Sequence, residues 1–222
     1  MHDELQAAAD VVENFTGAQP RLFRRVLITA GDEESRRDMA ALAASIAGSA
    51  ERVSAPDRAD LIVSDSARDI EGAPCPVAVA PRGFASRADR GLRRIDVGID
   101  GSRGAGAALA TALWIALDHD ARLRLLAIAA PRSGAVDSDS GETARLARHL
   151  ERASERLSAV RVETELREGP VDRVLVELSA ASDLLLLGSR GTYDAVGRVA
   201  LGELGESILS AATCPVLVIP AP

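Results

Sequence analysis

Apolar positions along this chain fall into short unbroken runs, separated by stretches in which they recur every three or four residues. Leu184-Leu185-Leu186-Leu187 has the length and apolarity of a strand buried on both faces of a parallel sheet. Val216-Leu217-Val218-Ile219 reads as a second short strand, stopped by Pro220, and between them Gly202 opens a helix over Glu203 to Ala211. Helical spacing predicts Glu33 to Ala47 and Gly104 to His119, the second with Leu109, Leu113 and Leu117 on one stripe and Trp114 as a packing residue. Thr143 to Leu157 places Leu146, Leu150, Ala153 and Leu157 at helical spacing, with His149 on the polar, solvated side. Val160, Val162, Thr164 and Leu166 alternate as the inward side of a half-buried strand. Leu5, Ala9 and Val12 suit a short N-terminal helix, with disorder there an equal alternative.

The strand at Leu184 runs directly into Gly188-Ser189-Arg190-Gly191. Glycines after a strand let backbone N–H groups approach a ligand, and a helix N-terminus nearby adds unpaired N–H groups and partial positive charge. That is equipment for holding an anion, usually a nucleotide phosphate.

The 222 residues allow one large domain or two small ones. With 47% hydrophobic but only 2% aromatic residues, the core is built from Ala, Val, Leu and Ile. The net charge of -7, with no lysine in the chain, argues against a nucleic-acid partner, which needs a basic surface to displace counterions. No apolar run approaches a membrane span, so no membrane partner is expected, and acidic His2-Asp3-Glu4 is unlike a secretory signal; cytoplasmic residence is the expectation. Cys75 and Cys214 both stand in Cys-Pro-Val, and are read as small buried residues at strand starts. His2, His119 and His149 lie far in sequence from the cysteines and from one another, so no metal site is expected.

Two stretches recur in the same order. Ala59-Asp60-Leu61-Ile62-Val63 parallels Ser182-Asp183-Leu184-Leu185-Leu186, and Cys75-Pro76-Val77-Ala78-Val79-Ala80-Pro81 parallels Cys214-Pro215-Val216-Leu217-Val218-Ile219-Pro220. Arg25-Val26-Leu27-Ile28 against Arg94-Ile95-Asp96-Val97 is a weaker third pair. The reading is a tandem joined around Arg82 to Leu92, whose first copy is cut down. Where the second copy has Gly188, Gly191 and Asp100, the first has Asp65, Arg68 and Gly31, so no phosphate cradle is expected there.

With Ile95 to Ser102, Ala121 to Pro131 and Arg161 to Pro170 beside the Asp183 to Pro220 segment, residues 93–220 resemble the universal stress protein family. Its nucleotide-binding forms carry two glycines three apart, a third glycine followed by Ser or Thr, and then a Cys-Pro-Val strand. The resemblance implies an α/β, doubly wound parallel sheet of Rossmann-like type, with a truncated copy of the same fold at the N-terminus. The expected organisation is an extension over 1–20, the truncated domain over 21–88 and the complete domain over 93–222. Because the family commonly dimerises through the last strand, the resemblance also implies an intramolecular pseudo-dimer through the two Cys-Pro-Val strands. Antiparallel pairing would set the cysteines at opposite ends and leave both thiols free. Further homo-oligomerisation is left open.

Carried over residue by residue, the family's nucleotide pocket falls on Asp100 and Ile128 for the nucleoside and on Gly188, Gly191 and Gly202 for the phosphates. This chain departs from the pattern by a spacer one residue longer between Gly191 and Gly202. Glu203 replaces the expected hydroxyl, and Gly205 takes a second hydroxyl position. Arg190 and Arg198 partly offset the added negative charge. The leading expectation is therefore a non-enzymatic stress-response protein with a degenerate nucleotide site and no cofactor, acting through a protein partner. The alternative is a regulator binding ATP, ADP or AMP in the second domain, with slow hydrolysis. Enzyme classes on related folds lack support: there is no lysine for a P-loop, no Gly-x-Ser-x-Gly elbow, and Gly101-Ser102-Arg103-Gly104 does not complete a dinucleotide fingerprint.

Overall fold

The computed structural model describes residues 23–66, 72–129, 139–155, 157, 160–189, 199 and 202–222. Leu5, Ala9, Val12, Arg68, Arg190, Gly191 and Arg198 lie outside the described residues. In chain order the elements are β1 (Arg25–Thr29), α1 (Glu33–Ala47), β2 (Glu51–Arg52), a 3-10 turn (Pro56–Arg58), β3 (Leu61–Ser64), β4 (Val77–Val79) and the short α2 (Ala85–Ala88). There follow β5 (Arg94–Gly98), α3 (Arg103–His119), β6 (Arg122–Ala129), α4 (Asp139–Glu155), β7 (Val162–Glu168), α5 (Val171–Ser179), β8 (Leu184–Gly188), α6 (Gly202–Ala211) and β9 (Val216–Ile219). Strands alternating with helices build an α/β fold with helices on both faces of one sheet.

All nine strands form one sheet in the order β2-β1-β3-β4-β9-β8-β5-β6-β7. Every neighbouring pair is parallel except β4 and β9, which run antiparallel with Val77 opposite Val218, Ala78 opposite Leu217 and Val79 opposite Val216. Each of these strands would otherwise be a short apolar edge with free N–H and C=O groups, which is what the pairing removes. It also sets Cys75 and Cys214 at opposite ends of the ribbon, both buried and outside any disulfide.

The sheet separates two apolar layers. One face carries α1, α3 and α4 through Met39, Leu42, Leu109, Leu113, Leu146 and Leu150. The other carries α5 and α6 through Val174, Leu175, Leu178 and Ile208. The linker is fastened to the N-terminal half by Asp38 of α1, which is buried and accepts the N–H groups of Gly83 at 2.8 Å and Ala85 at 2.7 Å.

The same backbone contacts recur in both halves. Asp60 N–H donates to Arg25 O at 2.8 Å, and Asp183 N–H to Arg94 O at 2.9 Å. Ile62 N–H donates to Pro76 O, and Leu185 N–H to Pro215 O, both at 2.9 Å.

Two sequence expectations are corrected. The apolar alternation of β7 holds only at its start: Val160 and Val162 are half-buried against the layer of α1, α3 and α4, whereas Thr164 and Leu166 are exposed and Glu165 and Arg167 are half-buried. Polar pairing on the other face is the cause, since Glu165 Oε2 accepts from Arg124 Nη1 at 2.9 Å and Arg167 Nη2 donates to the exposed Glu177 of α5 at 3.1 Å. The helix expected over Thr143 to Leu157 begins earlier, at Asp139, and ends at Glu155, with buried Leu157 just beyond it.

Candidate functional site

The connections β5–α3–β6 and β6–α4–β7 cross one face, whereas β7–α5–β8 and β8–α6–β9 cross the other. β5 and β8 are neighbours, so the loops leaving their carboxyl ends diverge and open a crevice. Ligands of open α/β sheets bind at such a switch point. Val97 lies opposite Leu186 and Gly98 opposite Leu126, so continuing the register by three and two residues sets Asp100 level with Ser189 on one side and Ile128 on the other. Three of the five sequence candidates, Asp100, Ile128 and Gly188, therefore meet along one edge. Gly202 opens α6 on the opposite face, and Gly191 lies outside the described residues.

Asp100 is half-buried, and its Oδ1 accepts the Ser102 N–H at 2.9 Å. This Asx turn bends the chain into α3, whose N-cap is Ser102, accepting from Ala105 N at 3.1 Å. Gly101 between them has φ +81°. A methyl group on it would also lie 2.7 Å from His149 Nε2, which corrects the reading of His149 as solvated. The half-buried imidazole rests on the turn that carries Asp100 because α4 packs alongside the ends of β6 and β7.

Gly188 has a packing role in addition to any ligand. A methyl group there would fall 2.1 Å from the Gly104 carbonyl carbon, and one on Gly104 would fall 2.6 Å from Ser189 O. The end of β8 thus touches the first turn of α3 backbone to backbone, a contact only glycine permits. Sequence reasoning placed Gly104 at the start of a helix and missed this contact. It also missed Ser189, which is buried at the head of the glycine loop with no hydrogen-bond partner for its hydroxyl oxygen among the described residues. Gly202, with φ +58°, starts α6 in the left-handed region. Glu203 stands next to it, exposed in the first turn.

Away from the crevice, Arg124 of β6 reaches Asp96 of β5 through Nε at 3.0 Å and Nη2 at 2.5 Å, and Ser182 Oγ also donates to Asp96. Asp96 is fully buried. The arginine pKa is raised, first by its hydrogen bonds to Asp96 against the opposing cost of burial. A cavity of ≈ 220 Å³ opens at the amino ends of β8 and β9, bordered by Arg87, Leu92, Asp183, Thr213 and Cys214. Burial, and then the negative charge of Asp96, push the Cys214 thiol up to about 12, which keeps it protonated and unreactive. Among the described residues no helix is long and apolar enough to cross a membrane, and no group of three or more His, Cys, Asp or Glu converges as a metal site would.

A doubly wound sheet with a glycine-lined switch point and a terminal Cys-Pro-Val strand defines a nucleotide-binding-like α/β class. The model of the universal stress protein family matches residues 91–220, and the chain belongs to that family. A universal stress protein of Mycobacterium tuberculosis is 32% identical over 146 residues, covering 61% of this chain and 51% of its own. A second from the same organism is 33% identical over 138 residues, covering 60% and 51%. The chain spans about half the length of these curated relatives. Among solved structures, universal stress protein UspA from Lactobacillus plantarum overlays with TM-score 0.51 at 24% identity, covering 58% of this chain and 97% of that one. A universal stress protein from Archaeoglobus fulgidus overlays with TM-score 0.57 at 15% identity, covering 98% and 91%. At these identities the overlays speak for the fold.

Proposed function

We propose that this stress-response protein acts by binding a protein partner and not by catalysis, through a complete C-terminal domain whose nucleotide site has degenerated. The observation that carries the proposal is Glu203, a carboxylate in the first turn of α6 directly after Gly202. In nucleotide-binding relatives a hydroxyl is expected at this position. A carboxylate ~4–5 Å from a phosphate charge costs on the order of 3–4 kcal/mol at an effective dielectric near 20. That corresponds to a loss of more than ~100-fold in affinity. The same charge interacts favourably with the helix N-terminus, by ~0.3–1 kcal/mol, so the protein supplies its own anion where a triphosphate would sit. Asp100, Ile128, Gly188, Gly191 and Gly202 make up the proposed remnant of the pocket.

The proposed organisation is an extension over 1–20, a truncated domain over 21–88 and the complete domain over 93–222, joined as a pseudo-dimer. Strand order supports it: outward from the β4·β9 junction, β4-β3-β1-β2 on one side repeats β9-β8-β5-β6 on the other, with β7 as the extra strand. The matched hydrogen bonds at Asp60 and Asp183 support it as well. In the shorter half Asp65 takes the place of Gly188, and its carboxylate accepts the Gly31 N–H at 2.8 Å, filling with negative charge the spot a phosphate would need.

One observation favours the second reading, an ATP- or ADP-responsive regulator: the buried Ser189 hydroxyl at the switch point, which has no partner among the described residues. Leaving such a group unpaired costs about 1–3 kcal/mol, and a ligand oxygen would relieve it. Calorimetric titration with Mg-ATP decides between the two. The expected result is no binding by the parent protein and micromolar binding by Glu203→Ser; micromolar binding by the parent overturns the degenerate-site reading in favour of the regulator.

A further inference from the structure

Val199 lies in the segment that joins β8 to α6, between Gly191 and Gly202, yet it is fully buried and belongs to the apolar layer of Leu27, Ile62, Ala73 and Val77 in the other half of the molecule. Its backbone is paired there in both directions. Gly72 N–H donates to Val199 O at 2.9 Å, and Val199 N–H donates to Ala73 O at 2.9 Å. These two bonds join Val199 to the turn preceding β4. The reason for it lies in what the N-terminal half lacks. In the C-terminal half α6 connects β8 to β9 and covers that face of the sheet, whereas no helix is described between β3 and β4. The apolar face over Ile62 and Val77 therefore needs a cover, and Val199 supplies part of it.

We infer that the N-terminal half is the built-in partner that holds Val199, three residues ahead of α6, with Gly72–Ala73 as the clasp and Val199 as the anchoring residue. Backbone N–H groups near a helix N-terminus can be held by a phosphate; at Val199 a protein contact does the holding with no ligand required. The inference deepens the degenerate-site reading, and rests on it only in naming what stands in for the phosphate. It gives the shortened half a function: it anchors Val199 of the complete domain, and anything that lifts Gly72–Ala73 away frees that residue.

The test is residue-resolved amide hydrogen exchange on the full chain, with and without Mg-ATP. The expected result is that the Val199 and Gly72 amides exchange at least about 100-fold slower than in an unstructured peptide, equally with and without Mg-ATP. Val199→Asp, which forces a charge into the apolar layer, should return both amides to near-unstructured rates while Leu217 in β9 stays protected. Should that variant fail to fold, Val199→Ala should speed both amides together by about 10-fold through loss of packing. Free exchange of Val199 in the nucleotide-free parent, protection appearing only with Mg-ATP, or a variant that frees one amide and not the other would each overturn the clasp. Calorimetric ATP binding by the parent would sink the degenerate-site reading while leaving slow exchange at Val199 intact, so the two failures are distinguishable.

Discussion

Asp60 and Asp183 perform the same task in the two halves of the sheet. Asp183 accepts the N–H groups of Arg93 and Arg94, each at 2.8 Å, at the point where β5 begins. Asp60 accepts those of Arg24 and Arg25, at 3.3 and 3.2 Å, where β1 begins. A carboxylate facing two adjacent backbone donors is a charge-assisted clamp, and it sets where each parallel strand enters the sheet.

The Asp60 clamp makes stability depend on pH. The Arg25 guanidinium, 2.8 Å away, and the backbone N–H groups hold the Asp60 carboxyl below its usual range. A depressed folded-state pKa contributes stability that is present above the unfolded value, near ~3.9, and is lost as pH falls through the folded value. Asp60→Asn should therefore melt below the parent at pH 7, and the gap should close on acidification below about pH 4. Thermal melts across pH check this; an unchanged gap at low pH would locate the effect in packing.

The Gly188–Gly104 approach predicts a large effect from a single methyl group. Gly188→Ala would place Cβ 2.1 Å from a backbone carbon, where no flexible side chain can yield. Overpacking of this kind typically costs ~1–3 kcal/mol, and rigid backbone puts this site at the upper end. Gly31→Ala is the control: its nearest neighbour would be the Asp65 carboxylate at 3.6 Å, ordinary contact. Chemical denaturation should separate the two variants clearly.

Much of this architecture was legible in the sequence for physical reasons. The repeated Cys-Pro-Val strands announced two apolar edges, and the run Leu184–Leu187 announced a strand buried on both faces. The exposure of Thr164 and Leu166 in β7 was not legible, because alternation along a strand of mixed apolar and charged residues does not say where its charged residues find partners; those of Glu165 and Arg167, Arg124 and Glu177, lie on other elements. Gly104, Ser189 and His149 acquire meaning only once helix and strand are set against each other. Val199 offered no signal, since the stretch between Gly191 and Gly202 mixes Ala195, Val196, Ala200 and Leu201 with polar residues and glycine and reads as loop.

Cysteine reactivity tests burial directly. Cys214 is held protonated up to about 12 by burial, and Cys75 is buried at the matching strand start. A thiol-specific disulfide reagent should label neither in the folded protein at pH 8 and both in denaturant. Rapid labelling under native conditions would show that the strand starts open to solvent.

The Asp96–Arg124 pair yields the sharpest stability prediction, because its two halves are unequal to remove. Asp96 is fully buried and satisfied by the Arg124 guanidinium and the Ser182 hydroxyl. Arg124→Leu strands that charge in the interior, a loss of ~3–5 kcal/mol in comparable buried pairs. Replacing both partners together, as Asp96→Val with Arg124→Leu, removes the buried charge along with its partner, and such exchanges are often neutral or stabilising. Glu165 retains Arg167, 3.3 Å away, after Arg124 is gone. The double variant should therefore be more stable than Arg124→Leu alone, by a margin of several kcal/mol on the same scale. Urea unfolding followed by the fluorescence of the sole tryptophan, Trp114, reads the comparison. Equal stability of the single and double variants would mean that the pair carries no net coupling, and that water reaches Asp96 once the arginine is removed.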